Sequence, residues 1–127
     1  MTQSDATVLL IDDNKALREA LTLAVEETGF KVHPVDSAVA AREWLAKHIP
    51  AMILVDIMMP DLNGLEFCRW VRGSPRFAVI PIIMMSALKD EETIQDAMEL
   101  GVIDFLKKPF PLKVLKEKVG RFLPKPR

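Results

Sequence analysis

Three runs of consecutive apolar residues occur at wide intervals along the chain. They are rich in branched side chains and cover residues 8–11, 52–55 and 80–85. Strands that are apolar on both faces are typical of buried positions in a parallel sheet, so the three runs predict central strands. Shorter strands are predicted at residues 31–35 and 104–106. Pro34 cannot donate to a ladder, which favours a sheet edge for the first of these.

Between these strands, apolar side chains recur every three or four residues, a spacing that predicts amphipathic helices. Asn14 and Ser37 stand where N-cap residues are expected, and Gly29 and Gly101 stand where a left-handed residue commonly ends a helix. The five predicted helices cover about residues 15–28, 38–48, 65–72, 90–100 and 111–122.

Strands and helices therefore alternate along the whole chain, without an internal repeat. This alternation predicts an α/β fold, a doubly wound five-stranded parallel sheet with five helices on its two faces. The common strand order is 2-1-3-4-5, the flavodoxin-like arrangement, and it puts the proline-containing second strand at an edge. In the fourth helix, we expect Ile94, Ala97 and Met98 to face the sheet.

Composition narrows the class of protein without identifying it. The chain has 127 residues and a formal net charge of −1, which argues against a surface devoted to nucleic acid or anionic membrane. We expect one domain over residues 1–123, with 124–127 a tail or the start of a linker. Cys68 is the only cysteine, so a disulfide framework within the chain is excluded. With neither a membrane-length apolar run nor a signal-peptide pattern, a cytoplasmic location is expected.

Polar side chains stand at the carboxyl ends of four predicted strands, where doubly wound sheets bind their ligands. Asp12 and Asp13 follow the first strand, and Asp56 follows the third. Ser86 ends the fourth strand, and Lys108 follows the fifth. Each residue alone is compatible with a helix cap, a turn or an ordinary surface position. Their joint placement predicts one cluster.

Three carboxylates at one sheet edge raise each other's pKa unless a cation joins them, and Mg²⁺ is the natural partner of such oxygen ligands. Lys108 would add a point charge suited to a phosphoryl oxygen, and Ser86 a hydroxyl. This combination predicts phosphoryl transfer. Because His33 and His48 fall elsewhere, the nucleophile is expected to be a carboxylate, which would form an aspartyl phosphate.

From about Thr7 to Leu123, the chain resembles the receiver domain of bacterial two-component response regulators. The motifs that carry the resemblance are Leu10–Asn14, Val55–Gly64, Met85–Ala87 and Asp104–Phe110. The resemblance implies that Asp56 accepts a phosphoryl group from the histidine of a sensor histidine kinase or phosphotransfer protein. It also implies a signalling domain rather than an enzyme.

The resemblance assigns further roles around Asp56. Mg²⁺ would be held by Asp12, Asp13, Asp56 and the backbone carbonyl of Met58. Lys108 would hold a phosphoryl oxygen, and the Lys108–Pro109 peptide would be cis. Ser86 and Phe105 would move on phosphorylation and change the surface of the fourth helix, fifth strand and fifth helix. That surface would contact an output domain or target protein, or support a phosphorylation-dependent dimer. Direct contact with nucleic acid or membrane is not expected.

The same residues are compatible with two other hypotheses. A Mg²⁺-dependent phosphohydrolase of the haloacid-dehalogenase type would need an acid two residues after its aspartate nucleophile, where this chain has Met58 or Lys15. A degenerate receiver that works only by protein contacts would not need the full set of acids, hydroxyl and lysine. Met58 and Leu88, both apolar and close to the expected site, predict slow self-dephosphorylation because they would exclude an attacking water.

Overall fold

The computed structural model describes residues 6–59, 61–87 and 91–122. Five parallel strands form one sheet, and five helices connect or follow them. The strands are β1 (Thr7–Ile11), β2 (Lys31–Val35), β3 (Met52–Asp56), β4 (Ile82–Ser86) and β5 (Asp104–Lys107). The helices are α1 (Lys15–Glu26), α2 (Ala38–Leu45), α3 (Gly64–Gly73), α4 (Glu91–Glu99) and α5 (Leu112–Phe122).

The strand order is β2-β1-β3-β4-β5, which confirms the doubly wound sheet and the edge position of the strand that contains Pro34. The predicted caps are confirmed as well. The side chains of Asn14 and Ser37 accept hydrogen bonds from the backbone N–H groups of Leu17 and Ala40. Beyond α1 and α4, Gly29 and Gly101 have φ angles of 100° and 75°.

Two predictions about the fourth strand and fourth helix are wrong. β4 begins at Ile82 rather than at residue 80, because the preceding Pro81 has no N–H to donate to the ladder. Met98 is exposed rather than turned inward. Among the described residues of α4 only Ala97 is fully buried, and Met98 lies about 100° further round the helix.

The sheet separates two hydrophobic clusters, and alternate residues of each strand contribute to opposite clusters. In β1, Val8 and Leu10 face α1 and α5, whereas Leu9 and Ile11 face α2, α3 and α4. All four side chains are fully buried. This explains why the central strands are apolar throughout. Because both faces of the sheet are covered by hydrophobic clusters, polar side chains can come together only beyond the ends of the strands.

Cys68 lies on the inner face of α3 and is fully buried. Burial raises the pKa of its thiol to about 12, and the thiolate is the reactive form. We therefore expect iodoacetamide to leave the native protein unmodified at mildly alkaline pH and to alkylate Cys68 once urea unfolds the chain. Intact-mass measurements against time would show this. Alkylation of native and unfolded protein at equal rates would contradict the prediction.

Several predictions from the sequence concern positions outside the described residues. These are Leu88, the start of the fourth helix near Asp90, and the chain from residue 123 onward, with its tail or linker at 124–127. Within the part of the chain that the structure describes, every helix falls short of the length and apolarity that a bilayer crossing requires.

Candidate functional site

Asp12 and Asp56 end up side by side because β1 and β3 are neighbours in the sheet. Both carboxylates are buried, and they are bonded in the same way. One oxygen of each accepts the backbone N–H two residues ahead: Asp12 Oδ1 that of Asn14 at 2.9 Å, and Asp56 Oδ1 that of Met58 at 3.1 Å. The remaining Oδ2 atoms both lie 2.8 Å from Lys108 Nζ. A single ammonium thus bridges two buried carboxylates.

The charges in this cluster do not balance. Burial raises the pKa of Asp56, although the hydrogen bond and charge of Lys108 act to lower it. Burial acts to lower the pKa of Lys108, but its bonds with Asp12 and Asp56 outweigh burial and raise it. The ammonium therefore stays charged at neutral pH. Two carboxylates against one ammonium leave an excess of negative charge that a further cation would offset.

Asp13 supplies a third carboxylate at the mouth of the cluster. Ligand oxygens of Asp12, Asp13 and Asp56 all lie within 4.8 Å of one another, close enough to share one ion. The donors are all hard oxygens, and Asp13 is exposed, so that water can complete a coordination shell on that side. This donor set fits a divalent cation of the magnesium type, which keeps several waters when proteins bind it.

The other predicted site residues lie at the same edge of the sheet or close to it. Ser86 is the last residue of β4 and is buried, and its backbone carbonyl accepts a hydrogen bond from the N–H of Lys108 at 2.8 Å. The Lys108–Pro109 peptide is cis, as the resemblance implies. Phe105 is half-buried against the cluster that faces α2, α3 and α4. Met58 is 57% exposed, and its backbone N–H binds Asp56.

A groove of about 340 Å³ opens beside Lys108. Its walls come from α1, from the segment after β4 and from the segment after β5: Leu17, Ala87, Lys108, Pro109 and Phe110. Apart from the lysine, these side chains are apolar. The groove therefore offers a mostly apolar approach that ends at the partly buried ammonium of Lys108.

Two residues that support the site were missed by the sequence analysis. Arg18 Nη1 donates to the backbone carbonyl of Asp12 at 2.9 Å. Asp61 accepts hydrogen bonds from the backbone N–H groups of Ala38 and Val39. Both residues bind backbone groups rather than side chains, and a backbone group carries no residue type that a sequence pattern could reveal.

Residues 8–120 match the family model of the response regulator receiver domain. A curated relative, the transcriptional regulatory protein GltR of Pseudomonas aeruginosa, is 34% identical over 123 residues, which are 97% of this chain and 51% of GltR. The chain thus spans about half the length of the curated relatives that it matches.

Solved structures show the same likeness in three dimensions. A response regulator receiver protein from Pseudomonas putida is 38% identical, with a TM-score of 0.85 over 91% of this chain and 96% of that one. The chemotaxis response regulator CheY4 of Vibrio cholerae is 27% identical, with a TM-score of 0.86 over 93% of this chain and 98% of that one. The chain therefore belongs to the family of response regulator receiver domains, which act in two-component systems.

Proposed function

We propose that this receiver domain accepts a phosphoryl group on Asp56 from the phosphohistidine of a sensor histidine kinase or phosphotransfer protein. The observation that carries the proposal is the bridge from Lys108 Nζ to Asp12 Oδ2 and Asp56 Oδ2, at 2.8 Å each. In the transfer, a carboxylate oxygen of Asp56 forms a bond to phosphorus as the bond from phosphorus to the histidine nitrogen breaks. The products are an aspartyl phosphate and a histidine whose ring takes up a proton from solvent and leaves neutral.

The carboxylates of Asp12, Asp13 and Asp56 would hold Mg²⁺ together with the backbone carbonyl of Met58. The donor chemistry of the three carboxylates supports this assignment. A bound Mg²⁺ would neutralise the negative charge that builds up on the phosphoryl oxygens.

The chain's own residues would stabilise and report the phosphorylated state. Lys108 would pair with a phosphoryl oxygen, and the hydroxyl of Ser86 would donate to another. The backbone N–H of Lys108 donates to the carbonyl of Ser86, so a shift of Ser86 would also move the end of β5, the strand that contains Phe105. We propose that the changed surface of α4, β5 and α5 then contacts an output domain or target protein, or pairs with a second copy.

The phosphohydrolase reading is not favoured. Met58 stands where that chemistry needs an acid, and the chain belongs to a signalling family instead. Slow self-dephosphorylation stays a prediction. Met58 is exposed in the structure, and the contribution of Leu88 is argued from the sequence alone.

The test is phosphorylation by a small donor. Wild-type protein incubated with acetyl phosphate and Mg²⁺ should gain one phosphoryl group by intact mass, and Asp56→Asn should gain none. Asp36→Asn is the matched control, because Asp36 follows β2 at the same edge of the sheet and is exposed. A phosphoryl group that persists in Asp56→Asn, or rapid release of inorganic phosphate by wild type with no accumulation of phosphorylated protein, would refute the proposal.

A further inference from the structure

The loop that follows Asp56 is closed at its base. The backbone N–H of Gly64 donates to the carbonyl of Ile57 at 2.7 Å, so that the loop leaves and returns at nearly the same point. Between these residues, Met59 and Leu62 pack against the cluster that faces α2, α3 and α4. The base of the loop and its apolar side chains are therefore held by β3, α3 and the core.

Asp61 ties the exposed side of this loop to a different element. Its Oδ1 accepts from the N–H of Ala38 at 3.2 Å, and its Oδ2 accepts from the N–H of Val39 at 2.9 Å. Both donors belong to the first turn of α2, where N–H groups have no partner within the helix. Because each oxygen has its own donor, the pair of bonds fixes the orientation of the carboxylate as well as its position.

Asp61 carries its charge at neutral pH. Burial acts to raise its pKa, but the hydrogen bonds from Val39, Ala38 and its own loop outweigh burial and lower it. A charged acceptor at a helix N-terminus makes a stronger hydrogen bond than a neutral one. Asp61 therefore connects the loop to α2 through two charge-assisted hydrogen bonds.

The N-terminal end of α2, which Asp61 contacts, is itself connected to the acidic cluster. The carbonyl of Val35, which ends β2 just before α2, accepts from the N–H of Asp12 at 3.1 Å. On the other side, the loop carries Met58, whose N–H binds Asp56 Oδ1. Asp12 and Asp56 meet at Lys108. Asp61 therefore closes a ring of contacts that runs from one buried carboxylate to the other.

We infer that Asp61 is a positioning residue for the phosphorylation site, which holds the Met58 peptide in register with Asp56 and the acidic cluster. The inference rests on the function proposed above for Asp56. Asp61 touches neither the phosphoryl group nor the ion in this scheme. It acts through the loop, as residues that orient metal ligands commonly do.

The test compares two ways of weakening the same helix terminus. Asp61→Ala removes both hydrogen bonds between the loop and α2. Ser37→Ala is the matched control, because Ser37 Oγ caps α2 by accepting from the N–H of Ala40 at 3.1 Å and has no bond to the loop. Each variant would be unfolded in urea, titrated with Mg²⁺ while the amide NMR signals are followed, and phosphorylated with acetyl phosphate at several Mg²⁺ concentrations.

We expect both variants to lower the urea midpoint by similar amounts. Only Asp61→Ala should shift the Met58 amide signal before Mg²⁺ is added and raise the half-saturating Mg²⁺ concentration, by about tenfold. Asp61→Asn keeps one acceptor oxygen and should recover part of the affinity. The maximal phosphorylation rate at saturating Mg²⁺ should change much less than the Mg²⁺ requirement.

Equal Mg²⁺ requirements in Asp61→Ala and Ser37→Ala would overturn the inference, and Asp61 would then be only a cap of α2. Failure of the proposed function would look different. Wild-type protein would then gain no phosphoryl group at Asp56, while the Met58 signal and the Mg²⁺ titration would still report whether Asp61 holds the loop.

Discussion

Replacing Arg72 with methionine is expected to lower the free energy of unfolding by about 3 kcal/mol. The guanidinium sits at the end of α3 and donates to four backbone carbonyls. Nε binds Leu100 at 2.9 Å, and Nη2 binds Gly101 at 3.0 Å. Nη1 binds Ala78 at 3.1 Å and Ile80 at 2.8 Å. Methionine keeps an apolar stem but leaves all four acceptors without this donor, and a hydrogen bond to a charged group contributes about 1.5–3 kcal/mol when shielded from water.

The loss should be concentrated at the C-terminal end of α4. Ala97 is the only fully buried residue among those described in this helix, so the bonds from Arg72 to Leu100 and Gly101 provide much of its attachment. We expect amide hydrogen exchange in Arg72→Met to accelerate around residues 100–103 and 78–82 more than in β1.

Arg69→Met is the matched control, because Arg69 lies on the same helix and is exposed. Its effect should stay within about 0.5 kcal/mol, the usual range for surface substitutions. Urea unfolding followed by circular dichroism would measure both variants. If Arg72→Met were no less stable than Arg69→Met, the four hydrogen bonds would contribute nothing measurable.

The fold could be predicted because burial in the sheet and position at its edge each require particular residue types. Strands buried on both faces need apolar residues in succession, and residues 8–11 of β1 and 52–55 of β3 supply them. A proline restricts a strand to an edge, and Pro34 lies at one. The prediction failed at Met98 because a helix with a single fully buried residue has too narrow an inward face for apolar spacing to locate it.

The acidic cluster could be predicted for a topological reason. Parallel strands end at the same edge of the sheet, so side chains at the ends of β1 and β3 meet although 43 residues or more separate them in sequence. Arg72 and Asp61 follow no such rule. Their partners are backbone groups in loops and helix termini 6 to 29 residues away, and the course of those loops is set by packing that a sequence pattern does not record.

Replacing Gly64 with alanine is expected to destabilise the protein by about 2–3 kcal/mol and to weaken its phosphorylation. Gly64 is buried where α3 begins, directly against the end of β3. A Cβ at this position would lie 2.5 Å from the carbonyl oxygen of Asp56 and 2.7 Å from Cα of Ile57. Both atoms belong to the backbone, so no flexible side chain can move aside. Either α3 or the end of β3 has to shift.

A shift at this point would reach the phosphorylation site, because the Asp56 backbone carries the carboxylate that binds Lys108. Gly64→Ala should therefore phosphorylate more slowly with acetyl phosphate and need more Mg²⁺, even at temperatures where it remains folded. Gly120→Ala is the control: Gly120 lies in α5 with open space around it, and alanine there should stabilise the protein by about 0.5–1 kcal/mol without affecting phosphorylation. Wild-type behaviour of Gly64→Ala in unfolding and phosphorylation would show that β3 and α3 separate easily. The close approach of the two backbones would then have no part in positioning Asp56.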